Sequence, residues 1–292
     1  MKHEEYEWLS NDKKKIYAQS WQPDQQPDGI LLVVHGLGEH SGRYELLANE
    51  FNQYGLAVLS LDMVGNGRSE GKRGHIKNYQ RLMEQVDLLI MKSEELFPGK
   101  PRILFGHSWG GNLVLNYAMM KDPHVDALIA SSPWLRLAFR PPAYLLFCMS
   151  ILKKIAPSIT VKGPVQSSNR CHNPAVNEEV QNDPLMHRWI SIRMFEIINR
   201  QGIYAMKNIY KINRPLLLMH GNEDRVTSYE ATEEMARNTS HLTRLKIWDG
   251  LYHELISEFE NKEIFLYIIS WLEEMKIIQK KTSRKFKLSQ LN

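Results

Sequence analysis

Short apolar runs alternate along this chain with longer stretches that repeat at helical spacing, and that rhythm narrows the possible architectures more than any other feature. The runs fall at residues 30–34, 57–62, 102–105, 127–130, 215–220 and 244–248. Several are apolar without alternation, the pattern of strands covered on both faces. Between them, residues 44–54, 79–96, 111–120, 229–237 and 258–275 read as helices. Leu82, Val86, Leu89 and Ile90, for example, share one helical face. Such alternation predicts an α/β fold with a mostly parallel, doubly wound sheet and helices on both sides. Residues 6–9 and 16–21 read as an antiparallel hairpin at a sheet edge.

One stretch interrupts the rhythm. Residues 133–212 insert about 80 positions between two strands, far more than a usual connection. The insertion carries PPAYLLFCMSILKKIA, too short to span a bilayer but apolar enough to cover something. The expected organisation is a core of residues 1–132 and 213–275, a helical cap insertion at 133–212 over the strand ends, and a basic tail at 276–292. The tail holds Lys276, Lys280, Lys281, Arg284, Lys285 and Lys287 and no acid; taking its +6 from the chain's +4 leaves a body of −2. That body offers no basic face for nucleic acid. The cap and the tail are the candidates for transient contact with a membrane surface. Neither a secretory leader nor a run of about 18 apolar residues appears. Cys148 and Cys171 form neither a disulfide framework nor a metal-ligand pattern. These features predict a cytoplasmic protein, at most peripheral to a membrane, with no metal.

GHSWGG, residues 106–111, lies where an apolar run gives way to helix formers. G-x-S-x-G at such a junction is the pattern of a nucleophile elbow. A serine on so tight a turn takes an unfavourable backbone conformation, and the residues two positions to either side must be small where strand and helix approach. Gly106 and Gly110 meet that need. A glycine turn without chemistry would match equally well, so the partners of the serine have to be found elsewhere.

A serine hydroxyl is a poor nucleophile unless a base, itself oriented by an acid, takes its proton. On an elbow of this kind the chain order is Ser, then Asp or Glu, then His. The run at 215–220 is followed by GNEDRVTS, which puts Asp224 in a strand-end loop; the run at 244–248 is followed by DGLYHE, which puts His253 in the next. Ser108, Asp224 and His253 would then project at the carboxyl ends of parallel strands, where open α/β sheets bind ligands. Glu223 and Asp249 compete for the role of acid. Glu223 would point elsewhere on the same loop, and Asp249 would hold the imidazole less rigidly from within its own loop. His35, His107 and His220 end strands or flank turns and read as structural hydrogen-bonders. A tetrahedral oxyanion needs backbone donors. They are expected from Trp109, directly after the serine, and from Leu37 in the glycine loop HGLGEH. Trp134, Leu135, Leu137, Phe139, Tyr144, Leu145 and Phe147 are the apolar candidates for an acyl-chain site, with ordinary packing as the alternative.

With these residues in view, HGLGEHSGRY (35–44), LDMVGNGRSEG (61–71), GHSWGG, HGNEDRVTS (220–228) and YHELISE (252–258) together resemble the monoacylglycerol lipase and lysophospholipase group of α/β-hydrolases. The resemblance covers most of residues 30–132 and 213–260, in order. It implies an eight-stranded α/β-hydrolase core with a cap, and hydrolysis of carboxylic esters without metal or cofactor. The implied substrate is a single-chain lipid ester, monoacylglycerol first. Lysophospholipase, general carboxylesterase and acyltransferase are the alternatives, and a non-catalytic binder of the same fold comes last. Carried over, Ser108, Asp224 and His253 form the triad, the Leu37 and Trp109 amides bind the oxyanion, and Glu39 and Arg43 shape the polar side of the oxyanion loop. Two departures stand out. Trp109 stands where the family often has methionine, which sets a bulkier group beside the acyl site, and the insertion matches little beyond NDPL (182–185). The sequence sets no oligomeric state.

Overall fold

The computed structural model describes residues 1–163, 170–239 and 241–280, so most of the basic tail lies outside the described residues. In chain order, the first part of the chain forms β1 (Lys2–Leu9), β2 (Lys15–Gln22), β3 (Gly29–Val34), α1 (Glu45–Gln53), β4 (Leu56–Leu61), α2 (Gln80–Leu96), β5 (Arg102–His107), α3 (Trp109–Lys121) and β6 (Ala127–Ser131). The insertion contributes α4 (Ala143–Ile155), β7 (Thr160–Lys162), α5 (Pro174–Asn182), β8 (Trp189–Ser191) and α6 (Ile192–Asn208). Then follow β9 (Leu216–Gly221), α7 (Tyr229–Ala236), β10 (Thr243–Trp248) and α8 (Asn261–Glu274).

Eight strands make one sheet in the order β1-β2-β4-β3-β5-β6-β9-β10. The β1–β2 and β2–β4 pairs are antiparallel, and the remaining neighbours run parallel. The α/β class, the parallel sheet and the antiparallel edge hairpin are thus as the sequence predicts. The absence of alternation in the central runs has a direct cause. In β3, Ile30, Leu32 and Val34 enter the layer beneath α2 and α3, whereas Leu31 and Val33 enter the layer beneath α1 and α8. Both faces are covered, so every position must be apolar.

Packing divides the 133–212 excursion in a way that strand spacing cannot. Helix α4 buries no residue, and β7 and β8 pair as a separate two-stranded antiparallel ribbon. Helix α6 differs: its Ile198 and Ala205 are fully buried with Leu113 and Val114 of α3. It packs on α3 and α7 and joins the core layer on that side although it precedes residue 212. At the other end, α8 begins at Asn261 and not near 258. The cause is Glu258, whose buried carboxylate accepts the backbone N–H of Tyr252 at 2.9 Å and of His172 at 2.8 Å. Tied to those two partners, it anchors a loop instead of opening a helix. Among the described residues, no helix is long and apolar enough to cross a membrane.

Candidate active site

β5 ends at His107 and α3 starts at Trp109, which leaves Ser108 between them with φ 55° and ψ −117°. A positive φ at a residue with a Cβ is strained and persists only where the surroundings enforce it. Here they do. The Ser108 N–H donates to Ser131 O at 2.9 Å, and Ser108 O accepts from Trp134 N–H at 2.9 Å and Asn112 N–H at 3.0 Å. The two flanking glycines are required by space: a Cβ on Gly106 would collide with the Gly110 carbonyl, and one on Gly110 with the Val34 carbonyl. The elbow spacing seen in the sequence is therefore a packing constraint between β3, β5 and α3.

The loops after β9 and β10 meet this serine. His253 Nε2 lies 2.9 Å from Ser108 Oγ, and His253 Nδ1 lies 2.6 Å from Asp224 Oδ2. With the ring proton on Nδ1 donated to the carboxylate, Nε2 is free to accept from the hydroxyl. The three residues are 6%, 7% and 4% exposed for Ser108, Asp224 and His253, so the chain of contacts is nearly dry. Asp224 is oriented further by the N–H groups of Val226 at 2.7 Å and Thr227 at 3.0 Å, which donate to its other oxygen. Burial would push its carboxyl up; His253 and the hydrogen bonds from His220 and His253 outweigh that and hold it far below the usual carboxylate range. The competing acids lie apart: Glu223 is exposed, and the exposed Asp249 accepts from Asn222 Nδ2 at 2.7 Å.

The other histidines have distinct surroundings. His35 Nδ1 lies 2.7 Å from Gly36 O, and its Nε2 accepts from Met63 N–H at 2.9 Å. His220 lies 2.9 Å from Asp224 Oδ2 and 2.8 Å from Thr232 Oγ1, so one carboxylate serves two imidazoles. The His107 ring lies 4.8 Å from the His253 ring, centroid to centroid. Burial pushes the His107 pKa down to about 4, against the pull of Glu39. The ring is neutral at physiological pH.

On the facing side, the HGLGEH loop is held by Glu39. Its carboxylate accepts the Gly36 N–H at 2.9 Å and the Tyr44 hydroxyl at 3.1 Å. Gly38 O accepts from His187 N–H of the insertion at 3.0 Å. Leu37 lines the pocket with Ser108 and His253. Trp109, as the first residue of α3, has an amide that no carbonyl within the helix can accept. Its side chain corrects one expectation. The indole is fully buried in the core, edge-on to His35 at 6.3 Å, and does not line the pocket. The turn that lifts the serine drives the next side chain into the sheet–helix interface.

A cavity of about 330 Å³ rises from Ser108 and His253 between α4 and the β7–β8 ribbon. Of the apolar candidates, Trp134, Leu137, Phe139 and Leu145 line it. Leu135 does not: it is buried in the core layer. Tyr144 and Phe147 do not either, being 73% and 66% exposed on the outer side of α4. The inner wall of α4 is instead Leu145, Cys148, Met149 and Leu152, a helical stripe at i, i+3, i+4 and i+7. Because α4 carries no charged residue before Lys153, periodicity gives no signal for which stripe of its first turns faces inward. Glu39 reaches the pocket, whereas Arg43 turns away to lie 3.5 Å from Glu254 and 3.4 Å from Glu179.

Two lining or supporting groups carry no motif of their own in the sequence. Arg170, from the insertion, lines the pocket with its side chain 10% exposed, and its Nη1 donates to Glu254 Oε1 at 2.6 Å. Glu254 follows His253 directly, which was the one available signal; nothing marked Arg170. The donor atoms of Glu39, His107 and Glu254 come within 4.8 Å of one another, a spacing that could hold a cation. The Arg170 guanidinium, 2.6 Å from Glu254 and 3.5 Å from Glu39, already supplies positive charge there.

Comparison with known proteins agrees with this architecture. Residues 25–260 match the family model Hydrolase_4, serine aminopeptidase S33. Over 91% of its length the chain is 31% identical to an uncharacterized abhydrolase domain-containing protein of Dictyostelium discoideum, of which it spans 28%. It is 30% identical over 88% of its length to the monoacylglycerol lipase of Mycolicibacterium smegmatis, covering 92% of that protein. It superposes on the crystal structure of Paleococcus ferrophilus monoacylglycerol lipase with a TM-score of 0.80 at 30% identity, covering 89% of this chain and 99% of that one. By family match, sequence identity and fold together, the chain belongs to the serine aminopeptidase S33 family, in the monoacylglycerol lipase group of the α/β-hydrolase superfamily.

Proposed function

We propose that this protein hydrolyses the ester of a single-chain lipid, monoacylglycerol in the first instance, with Ser108, His253 and Asp224 as its catalytic triad. The observation that carries the reading is the buried run of contacts from Ser108 Oγ through His253 to Asp224, at 2.9 and 2.6 Å, on the floor of an apolar cavity. His253 removes the hydroxyl proton as Ser108 attacks the ester carbonyl. The Leu37 and Trp109 amides bind the oxyanion, each worth about 3 kcal/mol to such a transition state. Collapse of the tetrahedral intermediate expels glycerol, which takes the proton from His253 and leaves an acyl-enzyme. Water, activated by the same imidazole, then releases the fatty acid. Asp224, far below the usual carboxylate range, stays charged and stabilises the imidazolium.

The apolar wall of α4 suits an acyl chain, and the Glu39–Arg170 end suits a polar headgroup. The activities by which the Mycolicibacterium and Paleococcus relatives are known support monoacylglycerol as that substrate. Residues 133–191 act as a cap over the site in this reading. The outer stripe of α4, with Tyr144, Phe147, Ile151 and Ile155 exposed and Lys153 and Lys154 in its last turn, suits transient contact with a lipid surface.

The test is labelling with a fluorophosphonate probe beside Ser108→Ala, followed by assays on monoolein, lysophosphatidylcholine and p-nitrophenyl esters of graded length. We expect labelling that the substitution abolishes, and preference for monoolein. Labelling that survives Ser108→Ala would remove the serine from its role. Preference for lysophosphatidylcholine would change the headgroup, and preference for acetyl over long-chain esters would overturn the lipid assignment.

A further inference from the structure

Two segments distant in sequence lock together behind the pocket. The Glu254 N–H donates to Arg170 O at 2.7 Å, while Arg170 Nη1 donates to Glu254 Oε1 at 2.6 Å. Two residues beyond Arg170, the His172 N–H donates to Glu258 Oε2 at 2.8 Å, four residues beyond Glu254, and the His172 ring lies 3.8 Å from the ring of Tyr252, two residues before Glu254. The loop that carries His253 is thus latched at both ends to residues 170–172 of the insertion. The same guanidinium lies 3.5 Å from Glu39, whose other oxygen fixes Gly36 in the oxyanion loop.

We propose that Arg170 is a positioning residue of the catalytic centre, tying the loop of the general base to the oxyanion loop through one buried ion cluster, so that the insertion completes the site and does not merely cover it. This rests on the triad reading above. Glu39 and Glu254 are both buried and would repel one another without a cation between them. One guanidinium nitrogen, Arg170 Nη1, answers both carboxylates, at 2.6 Å from Glu254 and 3.5 Å from Glu39, and the group keeps its charge at any ordinary pH. A buried ion pair of this kind is a weak source of stability but a strict geometric constraint, because either partner left alone is an uncompensated charge. That constraint falls on the residue next to the base.

The charged and titratable groups around His253 are Asp224 at Nδ1, His220 behind it, His107 against the ring, and Glu39, Glu254, Arg170 and Arg43 beyond. Removing the Arg170 charge leaves the two glutamates to favour a protonated imidazole, so the base is lost at higher pH. The experiment compares the full-length wild type with Arg170→Gln, Glu254→Gln and the double variant, on p-nitrophenyl butyrate and monoolein, with kcat, KM, the pH profile of kcat/KM and the thermal midpoint recorded. Arg170→Gln is expected to lower kcat about tenfold or more on both substrates, with KM little changed. Its acid limb should move up by about half a pH unit or more. The double variant should return the acid limb toward wild type and recover much of the kcat. If Arg170→Gln fails to fold, Glu254→Gln decides by itself, with kcat reduced on both substrates and its acid limb moved down. The proposal is overturned if Arg170→Gln raises only the KM for monoolein, or if single and double variants lose activity equally with the acid limb unmoved. Should the wild type hydrolyse no ester at all, the triad reading falls first and this inference with it.

Discussion

Asp224 is the residue on which the proposed chemistry turns, because it meets two imidazoles with one carboxylate. Its Oδ2 lies 2.6 Å from His253 Nδ1 and 2.9 Å from His220 Nε2. Asparagine at this position keeps the shape but offers an amide in place of an acceptor, so His253 turns to the tautomer that cannot take the serine proton. In triads of other folds the equivalent change costs about 10⁴ in kcat. We expect Asp224→Asn to lose about that much against p-nitrophenyl butyrate, with an unchanged circular dichroism spectrum. Activity kept within about a hundredfold would mean that another acid, such as Asp249, supports the base. The neighbouring strain at Ser108 is bought by the three backbone hydrogen bonds that fix its N–H and carbonyl.

Among the elements, α4 has two apolar faces with different surroundings. Leu145, Cys148, Met149 and Leu152 line the cavity, while Tyr144, Phe147, Ile151 and Ile155 face out, Ile155 at 74% exposure. Large exposed apolar patches on soluble proteins mark contact with another apolar phase. A triple variant, Tyr144→Ser with Phe147→Ser and Ile151→Ser, should lose co-sedimentation with phosphatidylcholine–phosphatidylglycerol vesicles. Its rate on vesicle-borne monoolein should fall about tenfold, with hydrolysis of soluble p-nitrophenyl butyrate unaltered. Equal vesicle binding by the variant would dismiss this face as the membrane contact.

At the scale of the molecule, the buried ion cluster makes stability depend on pH. Glu254 is pushed up by burial but drawn down further by Arg170 and Arg43, to about 2 from 4.5. A depressed carboxyl stabilises the fold above its unfolded value, and that contribution disappears as pH falls from 4.5 toward 2. Burial likewise lowers His107 to about 4 from 6.5, so the unfolded chain binds a proton that the folded one refuses between those values. Both effects have one sign: stability falls on acidification from about pH 6.5 downward. The thermal midpoint should drop by roughly 5–10 °C between pH 7 and pH 4 at fixed ionic strength, measured by scanning calorimetry. A flat profile over that interval would show that the cluster titrates otherwise.

The alternation of apolar runs, the small residues about Ser108 and the order serine, aspartate, histidine were legible in the chain. They are local consequences of burying both faces of a parallel sheet and of packing a strand against a helix. The sheet, its hairpin edge and the meeting of three loops at one rim follow from that, since parallel strands bring their carboxyl ends to the same side. What lies beyond one loop or one helix was not legible. The sequence cannot say which stripe of α4 faces the cavity, because its first turns carry no charged residue to mark an outer side, nor that Trp109 turns into the core. Arg170 and Glu254 are 84 positions apart, and only folding sets their charges against each other, buried and in direct contact at 2.6 Å.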